Sequence, residues 1–138
     1  MGPRLMAFVV DNSLTIAWCV SSQADRYSRE VLERSRREAA HAPHVWRLEF
    51  LNTLRVLEKR ARLQAHQVDG IVARIARMNI RIDADSPDNR VLLDMSRRLD
   101  LSVYDASYLE LAQRRGLPLA TRDGKLRSAA RAAGVVMA

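Results

Sequence analysis

Met6-Ala7-Phe8-Val9-Val10-Asp11-Asn12-Ser13 decides the fold. Five apolar residues run without interruption and stop at an acid. A run this short, closed by the turn formers Asp, Asn and Ser, reads as a strand buried on both faces. Strands of that kind belong to parallel sheets covered by helices. The acid at the end matters, because ligands of open parallel sheets bind beyond the carboxyl ends of the strands. Asp11 therefore has two readings, a turn or cap residue or a side chain aimed into a cleft. Ser13 is positioned to cap a helix from Leu14 to Val20.

Working outward, the remaining pattern alternates. Residues 24–39 are charged, with spaced apolar positions Tyr27, Val31 and Leu32, as on a surface helix. Residues 41–45 read as a short strand or extended entry to a helix from Arg47 to Leu63. Val68, Ile71, Val72 and Ile75 form one stripe of a helix over 67–77. Residues 79–82 form a brief predicted strand, and Pro87 suits the first turn of a helix running to Leu99. The helix predicted over 104–115 stops at Gly116, with Pro118 two residues on. A strand over 117–121, a helix over 125–133 ended by Gly134, and a last strand over 135–137 complete the chain. Strand and helix in alternation predict an α/β domain with a mostly parallel sheet. No repeat, low-complexity tract or linker interrupts it, so residues 1–138 are read as a single domain.

Composition narrows the function. Of 138 residues, 48% are hydrophobic, enough to build a core and to exclude a disordered chain. The single cysteine, Cys19, excludes an internal disulfide and a cysteine zinc cluster, and its apolar neighbours suit an inert buried thiol. Asp11, Asn12 and Ser13 break the N-terminal apolar stretch, which fails as a membrane span or signal core, so the expected location is cytoplasmic. Formal net charge is +7 and pI is about 10.7, which suits a polyanionic partner, nucleic acid or an acidic protein. Lys59 and Lys125 are the only lysines, so a codon-biased genome also accounts for part of the arginine excess.

Four acids carry the candidate chemistry. Asp123 repeats the placement of Asp11: the predicted strand Leu117-Pro118-Leu119-Ala120-Thr121 leads to Arg122-Asp123-Gly124 and a helix. Glu49 sits among Leu48, Phe50 and Leu51, with Asn52 on the same face three residues on. Asp105 opens a helix, where negative charge is favoured. Taken singly, each has a bland reading: helix caps for Asp11 and Asp123, an Arg partner for Glu49, helix-dipole complementarity for Asp105. Taken together, carboxylates that converge repel one another and call for a cation. An all-oxygen set suits Mg²⁺ or Mn²⁺, which activate water and stabilise in-line displacement at phosphorus.

The order Val9-Val10-Asp11-Asn12-Ser13, Trp46-Arg47-Leu48-Glu49-Phe50-Leu51-Asn52, Tyr104-Asp105-Ala106-Ser107-Tyr108-Leu109 and Leu119-Ala120-Thr121-Arg122-Asp123-Gly124-Lys125-Leu126 resembles the PIN domain of VapC toxins, over nearly the whole chain. That resemblance implies an α/β/α sandwich with a five-stranded parallel sheet in the order 3-2-1-4-5. It implies Asp11, Glu49, Asp105 and Asp123 as the acidic quartet binding Mg²⁺ or Mn²⁺. Ser13 and Thr121 become hydroxyl helpers, and Asn52 a neighbour. The implied activity is an RNA endonuclease that hydrolyses phosphodiester bonds through a metal-activated water, leaving 5′-phosphate and 3′-hydroxyl ends. The implied partners are an RNA substrate, a cognate antitoxin protein and a second copy in a homodimer. Asn12 departs from the Ala frequent in such sequences.

Competing constellations are poorer. His41, His44 and His66 lack the helical His-x-x-x-His zinc spacing. Ser13 and Ser107 have no Gly-x-Ser-x-Gly setting, and no Gly-rich phosphate loop is present. Trp18 and Trp46 read as core or interface. Two rivals remain: a catalytically silent PIN-like binding module, which the complete acidic quartet disfavours, and a phosphoryl-transfer receiver, which would pair adjacent acids where Asp11 is followed by Asn12.

Overall fold

β1, Ala7–Val10, is the buried strand that its sequence predicts: Phe8, Val9 and Val10 expose none of their surface. A computed structural model describes residues 6–85 and 87–138. α1 (Asn12–Cys19), a 3₁₀ turn (Ser21–Gln23) and α2 (Arg26–Ser35) follow, then β2 (Ala39–Ala42), α3 (Trp46–Lys59) and α4 (Ala65–Ala76). The chain continues through β3 (Ile80–Ile82), α5 (Asn89–Leu99), α6 (Val103–Arg115), β4 (Leu119–Ala120) and α7 (Gly124–Ala132). All strands run parallel, in the order β3-β2-β1-β4.

The expected α/β sandwich is therefore present, with four strands where five were expected. In the fifth place the chain makes a single parallel bridge, Leu119 to Met137, closed by Leu119 N–H to Val136 O (2.9 Å) and Ala138 N–H to Leu119 O (2.9 Å). One bridge satisfies these groups without extending a ladder. Other boundaries shift too. β2 begins at Ala39, inside the span read as surface helix, and ends before Pro43. Pro87 precedes α5 rather than opening it, because Asp88 caps that helix by accepting Arg90 N–H at 2.7 Å.

The helices form where local chemistry satisfies their ends. α2 has a reciprocal capping box: Asp25 accepts Ser28 N–H at 2.7 Å, and Ser28 Oγ accepts Asp25 N–H at 2.9 Å. α6 is capped by Ser102, whose hydroxyl accepts Asp105 N–H at 3.0 Å, and stops at Gly116 with φ +63°, a left-handed conformation that favours glycine.

Two apolar clusters sandwich the sheet. Phe8, Val10, Ala40 and Ala120 pack with Leu14 and Trp18 of α1 and Val31 of α2. Val9 and Leu119 pack with α3 (Trp46, Phe50, Leu54), α6 (Tyr108, Leu109, Leu111) and α7 (Leu126, Ala130). Burying each large side chain contributes about 1.5–3 kcal/mol before entropy is counted. Both tryptophans belong to this core, as their sequence setting suggests. Trp18 donates to Ser28 O at 3.0 Å and Trp46 to Thr15 Oγ1 at 2.9 Å. Among the described residues no helix is long and apolar enough to cross a membrane.

Candidate active site

The carboxyl ends of β1 and β4 lie side by side, with Asp11 N–H bonded to Ala120 O at 3.2 Å. Here the strand order turns back, which is where an open parallel sheet forms a crevice. Asp11 is 5% exposed. Its Oδ1 accepts Leu14 N–H at 3.2 Å and the Ser13 hydroxyl at 2.6 Å, and its Oδ2 accepts the Thr121 hydroxyl. Asp11, not Ser13, is thus the cap of α1. The longer carboxylate reaches the helix N–H, and Ser13 spends its hydroxyl on Asp11. Thr121 is fully buried and its Oγ1 also accepts Asp123 N–H at 3.0 Å, so one hydroxyl ties the two strand-end acids together.

The other acids approach from helices. Asp123 caps α7, accepting Lys125 N–H at 2.9 Å, and is exposed. Asp105 is in the first turn of α6, and Glu49 in the first turn of α3. Glu49 Oε1 accepts the hydroxyl of Tyr108, a fully buried side chain of α6, at 2.7 Å. Asn12 Nδ2 donates to Thr53 Oγ1 at 3.0 Å and Thr53 in turn to Glu49 O at 3.0 Å, latching α1 to α3 beside the acids. Asn52 is exposed and lines the same groove as Glu49, Thr53 and Tyr104.

These groups feel each other's charge. Burial pushes the Asp11 carboxyl above its ordinary range. Bonds from Ser13, Thr121 and Leu14 pull it back, and the negative charge of Asp105 pushes it further up. Burial raises Glu49 as well, against the Tyr108 bond and with the charges of Asp105 and Asp11 adding to the rise. Asp105 is raised by burial and by Asp123, while Ser102 and Lys125 oppose. All four sequence-predicted acids therefore share one electrostatic neighbourhood. Among the described residues they are not already drawn into a three-ligand metal shell.

A hard divalent cation suits this donor set. Every candidate ligand is a carboxylate oxygen, and three of the four are held partly out of water with too little positive charge nearby. Tyr108 and Arg122 are the residues whose roles the sequence did not announce. A tyrosine among Ala106, Ser107 and Leu109 needed a buried partner for its hydroxyl, which was the available signal. Arg122 donates to Ser13 O (3.1 Å), Gln23 O (2.6 Å) and Asp25 Oδ2 (3.1 Å), fastening the β4–α7 turn to α1 and to the start of α2.

A family model described as PIN domain matches residues 8–132. Comparison with curated proteins finds no match. Among solved structures, PAE2754 from Pyrobaculum aerophilum is similar with a TM-score of 0.68 and 21% identity, covering 99% of this chain and 87% of that one. VapBC2 from Rickettsia felis, bound to a DNA fragment from its promoter, is similar with a TM-score of 0.68 and 10% identity, covering 96% and 98%. Mycobacterium tuberculosis VapC20, a Sarcin-Ricin loop cleaving toxin, gives a TM-score of 0.62 and 16% identity, covering 95% and 98%. At these identities the likeness shows a shared fold.

Proposed function

This chain belongs to the PIN domain family, and from that premise we propose that it is a divalent-metal-dependent RNA endonuclease, the toxin of a toxin–antitoxin pair. The observation that supports the proposal is the electrostatic coupling of Asp11, Glu49, Asp105 and Asp123 near the reversal of strand order, with the first three carboxyls raised by burial and by neighbouring acids of the set. Asp11, Asp105 and Asp123 would hold Mg²⁺ or Mn²⁺, with Glu49 as a ligand directly or through water. When bound, the cation supplies the positive charge that eases deprotonation of a water and offsets charge building on the phosphate.

The chain's own residues do the rest. Ser13 and Thr121 fix both oxygens of Asp11, so its remaining lone pairs keep one orientation. Tyr108 holds Glu49 at the groove, and Asn52 lines the same groove within reach of substrate. Similarity to VapC20, a Sarcin-Ricin loop cleaving toxin, and to VapBC2 supports RNA as substrate and a cognate antitoxin as partner. Leu51, 36% exposed on α3, and Val72, 37% exposed on α4, are apolar side chains for a second copy to cover, which supports a homodimer through the α3–α4 region. The proposal covers one domain over residues 1–138, acting in the cytoplasm.

The test is cleavage of RNA by purified protein with Mg²⁺ or Mn²⁺, with EDTA, and by Asp11→Asn. Cleavage only in the metal-loaded wild type is expected. Equal cleavage in thorough chelation refutes the mechanism, and RNA binding without cleavage under any metal leaves the silent binding module standing instead.

A further inference from the structure

At the opposite end of the sheet the amino ends of β1, β2 and β3 open onto a cavity of about 650 Å³ between α2 and the end of α4. Five arginines and one glutamate line it, so more than half of the chain's net charge of +7 is gathered in one concavity. The glutamate, Glu38, is occupied by Arg34, and Arg36 by Glu33. Arg37, Arg74, Arg77 and Arg81 have no carboxylate partner among the described residues.

We propose that this cavity binds a nucleoside monophosphate unit, its phosphate on the arginines and its base on the apolar floor. Arginine complementing a helix C-terminus accounts for Arg74 and Arg77, at the end of α4. It does not account for Arg81, which projects from β3 into the same space. A volume of this size is that of a small-ligand site, far larger than one phosphate group requires. Leu32 and Met78 supply apolar floor, and guanidinium planes both pair with phosphate and stack on bases. The lining is donor-rich in its side chains, five arginines standing against the acceptors of Asn79 and His41. Its Ser35 hydroxyl is spent on Leu32 O at 2.5 Å, and Glu38 is taken. An acidic peptide brings backbone N–H donors that would find few acceptors here, whereas a nucleotide brings mainly acceptors. His41, at the same wall, is pulled below the ordinary histidine range by burial and by Arg115 and Arg81, in keeping with a positive interior.

The unit could come from a free nucleotide or from an RNA strand, and the two sources separate by titration in EDTA. The probes are adenosine monophosphate, a six-nucleotide oligoribonucleotide whose integrity is checked by gel, inorganic phosphate, and hexaglutamate. The readouts are the His41 ring resonances and fluorescence anisotropy. Adenosine monophosphate is expected to shift His41. Arg74→Gln with Arg81→Gln, both exposed positions, should weaken its binding about tenfold or more, since two charge-assisted pairs to the phosphate are lost. Tighter binding of the oligonucleotide, with a salt slope that falls by about 0.7 per phosphate contact removed, assigns the site to a strand. Equal binding of adenosine monophosphate and oligonucleotide assigns it to free nucleotide. Three results overturn the proposal: no His41 shift and unchanged affinity in the double variant, inorganic phosphate matching adenosine monophosphate, or hexaglutamate binding where the nucleotide does not. Cleavage enters none of these readouts, so failure of the nuclease reading would leave them intact.

Discussion

Replacing Tyr108 with Phe removes one hydroxyl and almost nothing else. The ring stays in a fully buried slot, while Glu49 loses a 2.7 Å bond. Hydrogen bonds to charged groups contribute about 1.5–3 kcal/mol. Glu49 is only half-buried and borders an open groove, so water replaces part of the loss and about 1–2 kcal/mol remains. For a chain of this length that lowers Tm by about 3–8 °C. The sign with pH follows from the direction of the bond's effect. The Tyr108 hydroxyl favours ionised Glu49, whose folded-state range is raised by burial, so the bond's contribution is full above that raised range and declines as pH falls through it toward the unfolded carboxyl pKa of about 4.3. Thermal melts of both proteins in EDTA should therefore diverge at pH 8 and converge toward pH 4. If Glu49 helps to hold the cation, activity should drop about 10–100-fold, as for lost supports of metal ligands, and recover partly with added Mg²⁺. Melts that coincide at pH 8, together with an unchanged Mg²⁺ half-saturation, would refute the reasoning.

Asp105→Asn should lower RNA cleavage by orders of magnitude yet stabilise the metal-free protein by about 0.5–2 kcal/mol. Because Asp105 is raised by burial and Asp123, its ionisation costs stability as pH rises, so the gain in melts should widen from pH 4 to pH 7; a lower-melting variant returns Asp105 to helix-dipole duty alone. Arg114→Met leaves the 3%-exposed Asp83 side chain with Arg115, at 3.0 Å, as its one cationic partner among the described residues, and should cost about 2–3 kcal/mol in urea unfolding. Burial pulls Asp83 up, but Arg114 and Arg115 outweigh it and hold the carboxyl below its ordinary range, so that deficit should shrink below about pH 4 and a pH-independent loss would contradict it. RNA affinity of the Asp11→Asn protein should fall steeply with salt, and a flat response in filter binding would assign the arginine excess to genome composition. Sedimentation should find a dimer at high micromolar concentration, and only monomer there counts against the α3–α4 face.

What the sequence made legible was whatever local chemistry decides. An uninterrupted apolar run ending in Asp11, and a second approach to Asp123, located two acids at strand ends before any pairing was known. Glu49 and Asp105 were visible as acids within or at the start of helices. Contacts across long separations were not legible. Tyr108 meets Glu49 across 59 residues, and nothing in either helix names the other. The assembly of Asp83, Glu110, Arg114 and Arg115 showed only its local part, the four-residue spacing of Glu110 and Arg114. Ser13 suits the cap because hydroxyls cap helices, but the neighbouring Asp11 carboxylate takes the Leu14 N–H instead. The strand over 135–137 had the right residues, yet β4 is two residues long and offers it only one bridge.

The hydroxyl of Thr121, just past β4, meets Asp11 across 110 residues, where β4 docks beside β1. Ribosomes deliver a chain amino end first, at about 5–20 residues per second. Asp11 and Glu49 thus emerge several seconds ahead of Asp105 and Asp123. Throughout that interval β1 has a vacant side, and no arrangement of the emerged segment supplies the missing acids. If the four acids act together as proposed, a chain still short of Asp123 carries no complete site. Emergence of Asp123 is then the step that completes the set.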